Sequence, residues 1–97
     1  MANLRDLKKD IDELMSMVLS DCLFVLDYNE KVDKVVVSGI ADKSIQIHHE
    51  FRIRANHPDG KENSKSVKNY YSKLYTDLLK AADEVLEELS KAVEKTK

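Results

Sequence analysis

The chain has 97 residues, a formal net charge of −2, and a composition that is 42% apolar and 35% charged. That length supports a single hydrophobic core, and the composition excludes a disordered chain. The acidic balance argues against a general nucleic-acid binder, which carries a basic excess.

Residues 3–27 form the first predicted helix. Leu4, Leu7, Ile11, Leu14 and Val18 recur at alternating three- and four-residue spacing, which draws one stripe along a helix. Asp21 breaks the heptad, and the stripe continues through Cys22 and Val25. Met15, Leu19, Leu23 and Leu26 widen it until the second half is apolar over most of its circumference. Such a stretch belongs at the centre of a bundle or at a subunit contact. The opening MANLRDLKKD has mixed charge and no signal-type apolar core. The longest apolar run, MVLSDCLFVL at 17–26, is interrupted by Ser20 and Asp21 and falls short of the roughly 20 apolar residues of a membrane span. Cys22 is the single cysteine, so no internal disulfide can form, which fits a reducing compartment. The expectation is a cytoplasmic protein with no membrane partner.

DYNE, residues 27–30, has the form of a helix stop and restart. Asp27 and Glu30 fit a capping box, with Asn29 as a rival N-cap. The middle segment, 30–55, supports two readings. Ile45, Ile47, Phe51 and Ile53 alternate with Gln46, His48, Glu50, Arg52 and Arg54, and Val35 to Val37 are strand-prone, so local pattern favours a hairpin within 34–54. A lone two-stranded hairpin is marginal in water, however. At about 100° per residue, Val36, Ile40, Ile47 and Phe51 share one narrow stripe. The global accounting therefore favours a helix with those four residues inward. His57-Pro58-Asp59-Gly60 predicts a type I turn, with the helix ending by Asn56 or His57.

The last segment, 64–95, is the plainest helix. Val67, Tyr71, Leu74, Leu78, Ala81, Val85, Leu89 and Ala92 recur at helical spacing. Asn63, Ser64 and Ser66 compete as N-cap, and Lys91, Lys95 and Lys97 suit the C-terminal dipole. Three amphipathic segments joined by short turns predict an all-α antiparallel three-helix bundle in one domain, 1–97.

DIDELMSMVLSDCLFVL, RANHPDGKENSKSVKNYY and DLLKAADEVLEELS resemble a family of small, functionally uncharacterised proteins of Bacteroidetes bacteria. The likeness covers most of the chain and is most specific at HPDGK and SVKNYY. It implies an all-helical fold with a helical middle segment. VVVSGIADKSIQIHH is richer in β-branched residues than the family pattern. The resemblance carries no activity with it.

The chemistry-bearing residues do not assemble into a familiar catalytic pattern. His48 and His49 are adjacent and point about 100° apart, whereas a helical zinc site needs ligands three or four residues apart. HEFRI at 49–53 begins like the HExxH of zinc proteases but has Ile53 where the second histidine belongs. Cys22 sits within an apolar helix, the setting of an inert buried thiol. With two glycines in the chain, a phosphate-cradling loop has no material. No cofactor or metal, and no enzyme activity, is expected.

Two surfaces remain. Arg52, Arg54, Lys61, Lys65, Lys68 and Lys73 stand against Glu50, Asp59 and Glu62, giving residues 48–73 a net +3 in a chain whose total is −2. With the N-terminal amides of the last helix, Arg52, Arg54, His57, Lys61, Lys65 and Lys68 form a candidate anion site for phosphate, an RNA backbone or a phosphorylated partner. On the helical reading, Val35, Ile45, His49 and Ile53 lie on the far side of the middle helix from its core stripe. A second apolar strip of this kind points to a homodimer and to a protein partner.

Overall fold

A computed structural model describes residues 4–56 and 64–96, with the side chains of Leu4 and residues 64–67 outside the description. Three helices run in order: α1 Leu4–Tyr28, α2 Lys34–Asn56 and α3 Ser64–Glu94. The described residues contain no strand, so the hairpin within 34–54 is not formed and the middle segment is helical throughout. The three helices make an elongated bundle measuring 52 × 20 × 17 Å.

Cross-helix contacts fix the direction of each element. Lys43 pairs with Glu88 and Arg54 with Asp77, so α2 and α3 are antiparallel. Asp12 receives both His48 and Arg52, and Cys22, later in α1, lies beside Ser44, earlier in α2, so α1 and α2 are antiparallel as well. α1 and α3 consequently run parallel, and the Asn29 side-chain amide donates to the Thr96 hydroxyl at 3.2 Å where their C-terminal ends meet.

One apolar cluster joins the helices. α1 contributes Leu7, Ile11, Met15, Val18 and Cys22, and α3 contributes Leu74, Leu78, Ala82, Val85, Leu89 and Ala92. α2 buries Val37, Ile40, Ala41, Ser44, Phe51 and Ala55. Ile40 and Phe51 hold their expected inward places and Ile47 is half-buried, but Val36 is 47% exposed and the core position belongs to Val37. Val36 lies at the edge of the stripe. Small residues at 41, 44 and 55 move the centre of the contact around the helix, away from Val36.

The turn between α1 and α2 also departs from expectation. α2 starts at Lys34, and its N-cap is Asp33 in place of Asp27 or Asn29. The Asp33 carboxylate accepts from the amides of Val35 at 3.0 Å and Val36 at 3.3 Å, the second and third helical positions, as an N-cap does. Asn29 instead closes α1, donating its amide to the Val25 carbonyl, while its side-chain oxygen accepts from the Lys31 amide. Val32 and Val37, on either side of the cap, are both buried. They occupy the two positions of a hydrophobic staple, which fixes the angle at which the chain enters α2. A buried valine at 32 is what delays the helix until residue 34.

Candidate interaction surface on the second helix

The outer strip of α2 is where the sequence places it. Val35 is 83% exposed, Ile45 52% and Ile53 47%, and His49 is exposed between them. At about 100° per residue Val35 and Ile53 lie in register along the helix, with Ile45 to one side. Gly39, one turn beyond Val35, has no heavy atom within 4 Å of where a Cβ would stand. The middle of this face is therefore open to close approach by another backbone.

The basic end is organised differently from an open anion cradle. Arg54 binds Asp77 at 3.0 Å and lies over the Phe51 ring, 5.0 Å from its centroid. Arg52 reaches Asp12 at 3.5 Å. Both guanidinium groups hold α2 to its neighbours. Lys68 is exposed, while His57, Lys61, the turn at 57–60 and the candidate cap Asn63 lie outside the described residues; the candidate caps Ser64 and Ser66 fall within α3, and their side chains and that of Lys65 lie outside the description.

Tyr70 and Tyr71 have a structural task in the same region. Their hydroxyls donate to the carbonyls of Arg54 at 3.0 Å and Ala55 at 3.3 Å. These carbonyls belong to the last turn of α2, which has no intrahelical partners for them. The two rings meet edge-on at 5.9 Å, so α3 caps α2 through adjacent tyrosines. The YY pair is visible in the sequence, but its target is not, because it depends on where the following helix folds back.

His48 is half-buried, with Nε2 2.7 Å from an Asp12 carboxylate oxygen; it ties α1 to α2. Among the described residues, no three His, Cys, Asp or Glu side chains come together in a way that could hold a metal. Cys22 is fully buried. Burial pushes its thiol pKa up and the charge of Asp21 acts in the same direction, with hydrogen bonds from Ser44 and the Cys22 amide partly opposing. A thiol held protonated is a poor nucleophile. Ser44, the one buried polar residue among the described residues, donates to the Ile40 carbonyl at 3.0 Å.

Apolar exposure also occurs outside α2, at positions the sequence did not single out. Met17, Phe24 and Tyr28 on α1 and Tyr75 and Leu79 on α3 are all more than two-fifths exposed. The signal available was the excess of apolar residues in the second half of α1, which a single core stripe cannot absorb. No helix among the described residues is long and apolar enough to cross a membrane. No protein-family model, curated protein or solved structure matches the chain.

Proposed function

We propose that this protein is a non-enzymatic helical module of the cytoplasm that self-associates through the solvent face of α2 and mediates protein–protein contact. The observation that carries the reading is the exposed apolar surface of α2, with Val35 and Ile53 opposite its core stripe and Ile45 on the flank beside them. Scattered apolar residues on a surface need no explanation. Three on one helix face, beside a glycine with open space around it, match the anatomy of a helix–helix contact. Fully burying a valine or isoleucine side chain is worth about 1.5–3 kcal/mol, and pairing two copies recovers part of that, less the cost of association. The engagement of Arg52 and Arg54 in ion pairs within the bundle favours this reading over an anion site at the 52–73 end.

Sedimentation of Ile53→Asp tests it. Wild-type protein is expected to dimerise in a concentration-dependent way, and the variant to sediment as a monomer with its helical circular dichroism intact. A wild type that stays monomeric at all concentrations, or a variant that dimerises as strongly, removes the proposal.

A further inference from the structure

The seam between α1 and α3 has a chemistry distinct from that of α2. These parallel helices are the most loosely joined pair in the bundle. At their C-terminal ends lies a depression of about 500 Å³ lined by Phe24, Val25, Tyr28 and Val93 with Asn29, Glu30 and Lys31. The Phe24 and Tyr28 rings sit 4.6 Å apart at its edge.

Helical phase extends this seam along the bundle. Met17 precedes Phe24 by seven residues, about two turns, and lies on the same side of α1. On α3, Val93, Leu86 and Leu79 recur every seven residues, with Tyr75 a turn further on. Val93 borders α1 in the depression, whereas Asp77 and Glu88 meet α2. The Tyr75–Leu79–Leu86–Val93 line is therefore the α1 side of α3. From Tyr75 to Val93 it spans about 27 Å at 1.5 Å per residue, the length of a five-turn helix.

The charge along this seam is mostly acidic, with Lys31 at the depression and Lys68, in phase with Leu86, as basic exceptions at its two ends. By the same phase, Asp10, Glu13 and Asp21 lie on the flank of α1 that carries Met17 and Phe24; Glu13 is paired with Lys9 at 3.9 Å, and Arg5 and Lys8 fall on other faces. On α3, Asp83 and Glu94 border Leu79 and Leu86, and Lys73, Lys80 and Lys91 are turned away from the seam. An apolar seam with acidic side chains interleaved on α1 and bordering it on α3 fits a helix that is apolar on one face and basic on its flanks. The same acidic side chains oppose a second copy, since a two-fold pairing of this face would set acid against acid. They oppose an anionic membrane or a nucleic acid for the same reason.

We infer that the α1–α3 seam is the docking groove for a basic amphipathic helix of a partner protein, which would complete a four-helix bundle. The probe is a synthetic helical peptide of about 18 residues with leucine on one face and lysine on the other. A matched peptide with glutamate in place of lysine is the control. Titrated into isotopically labelled protein, the lysine peptide is expected to shift the resonances of Phe24, Tyr28 and Leu79 and the glutamate peptide to leave them in place. Asp21→Lys combined with Asp83→Lys, both at exposed positions, is expected to weaken binding by about tenfold or more. Leu79→Asp should weaken it with the fold retained, and Ile53→Asp, on the other surface, should not change it. Equal binding of the two peptides, or no effect of the double charge reversal, overturns the inference. So does a dimer that Leu79→Asp dissociates and Ile53→Asp does not, because the occupant is then a second copy.

Discussion

α2 and α3 pack against the same core, yet they distribute apolar residues in opposite ways. α3 buries Leu74, Leu78, Ala82, Val85, Leu89 and Ala92, a single stripe at three- and four-residue spacing with charge on the far side. α2 buries a mixture in which Ala41, Ser44 and Ala55 are small, while the larger Val35, Val36, Ile45 and Ile53 remain exposed. The apolarity of a helix and the apolarity of its buried face are separate quantities. Where they largely coincide, as in α3 apart from Tyr75 and Leu79, the sequence states the packing. Where they diverge, as in α2, large apolar side chains stay exposed on the outer face of the helix.

The sharpest way to break that comparison is to place a charge at neighbouring positions of α2. Val37 is fully buried, and an aspartate there would be an unpaired carboxylate in the core, costing several kcal/mol. A domain of this kind is stable by only about 5–15 kcal/mol. Val37→Asp is therefore expected to abolish the cooperative thermal transition seen by circular dichroism. Val35→Asp, two residues away and 83% exposed, should leave that transition within a few degrees of wild type. If Val35→Asp unfolds the protein and Val37→Asp does not, the phase of α2 is misassigned.

The same contrast explains which parts of the fold the sequence discloses. The α3 stripe from Leu74 to Ala92 and the α1 stripe from Leu7 to Cys22 are legible because periodic burial is a local pattern. The outer strip of α2 is legible for the same reason. The choice of Val37 over Val36 is not, because adjacent valines differ only in phase and the deciding residues are the small ones, Ala41 and Ser44, that set where α1 can approach. Nor is the α1–α3 seam legible, since Met17, Phe24 and Leu79 fall outside the periodic stripes and only the parallel arrangement of α1 and α3 brings them to one side of the bundle. Arg54 and Arg52 read as a basic patch because their partners, Asp77 and Asp12, are 23 and 40 residues away.

The α1–α2 turn offers a second, smaller test. Removing an N-cap carboxylate costs about 0.5–2 kcal/mol, which in a domain of this size lowers Tm by about 4–8 °C per kcal/mol. Asp33→Ala is expected to show that loss, because its carboxylate holds two amides of the first turn of α2. Asp27→Ala should leave Tm nearly unchanged. Equal losses in the two variants would return the cap to residue 27 and the start of α2 to residue 30.

The smallest effect is expected where α2 ends against α3, and it is read by titration instead of melting. Asp77 has its pKa held below the usual carboxylate range, chiefly by the hydrogen bond from Arg54, with Lys73, Arg54 and Lys80 adding favourable charge and partial desolvation opposing them. A carboxyl whose folded pKa is depressed stabilises the protein above its unfolded pKa, and that contribution disappears as pH falls through the folded value. The stability contributed by the Arg54–Asp77 link should therefore be fully present at neutral pH and lost progressively as pH falls from the range in which ordinary aspartates protonate through the lower folded value. Replacing Arg54 with alanine removes the first cause of the shift, so the Asp77 side-chain carboxyl resonance should titrate at higher pH in that variant. Arg54→Lys should recover part of the shift, since an ammonium retains the charge and lacks the planar fork. An Asp77 titration identical in wild type and Arg54→Ala would mean that Arg54 is free in solution. The basic end of the bundle would then regain an unpaired guanidinium with which to bind an anion.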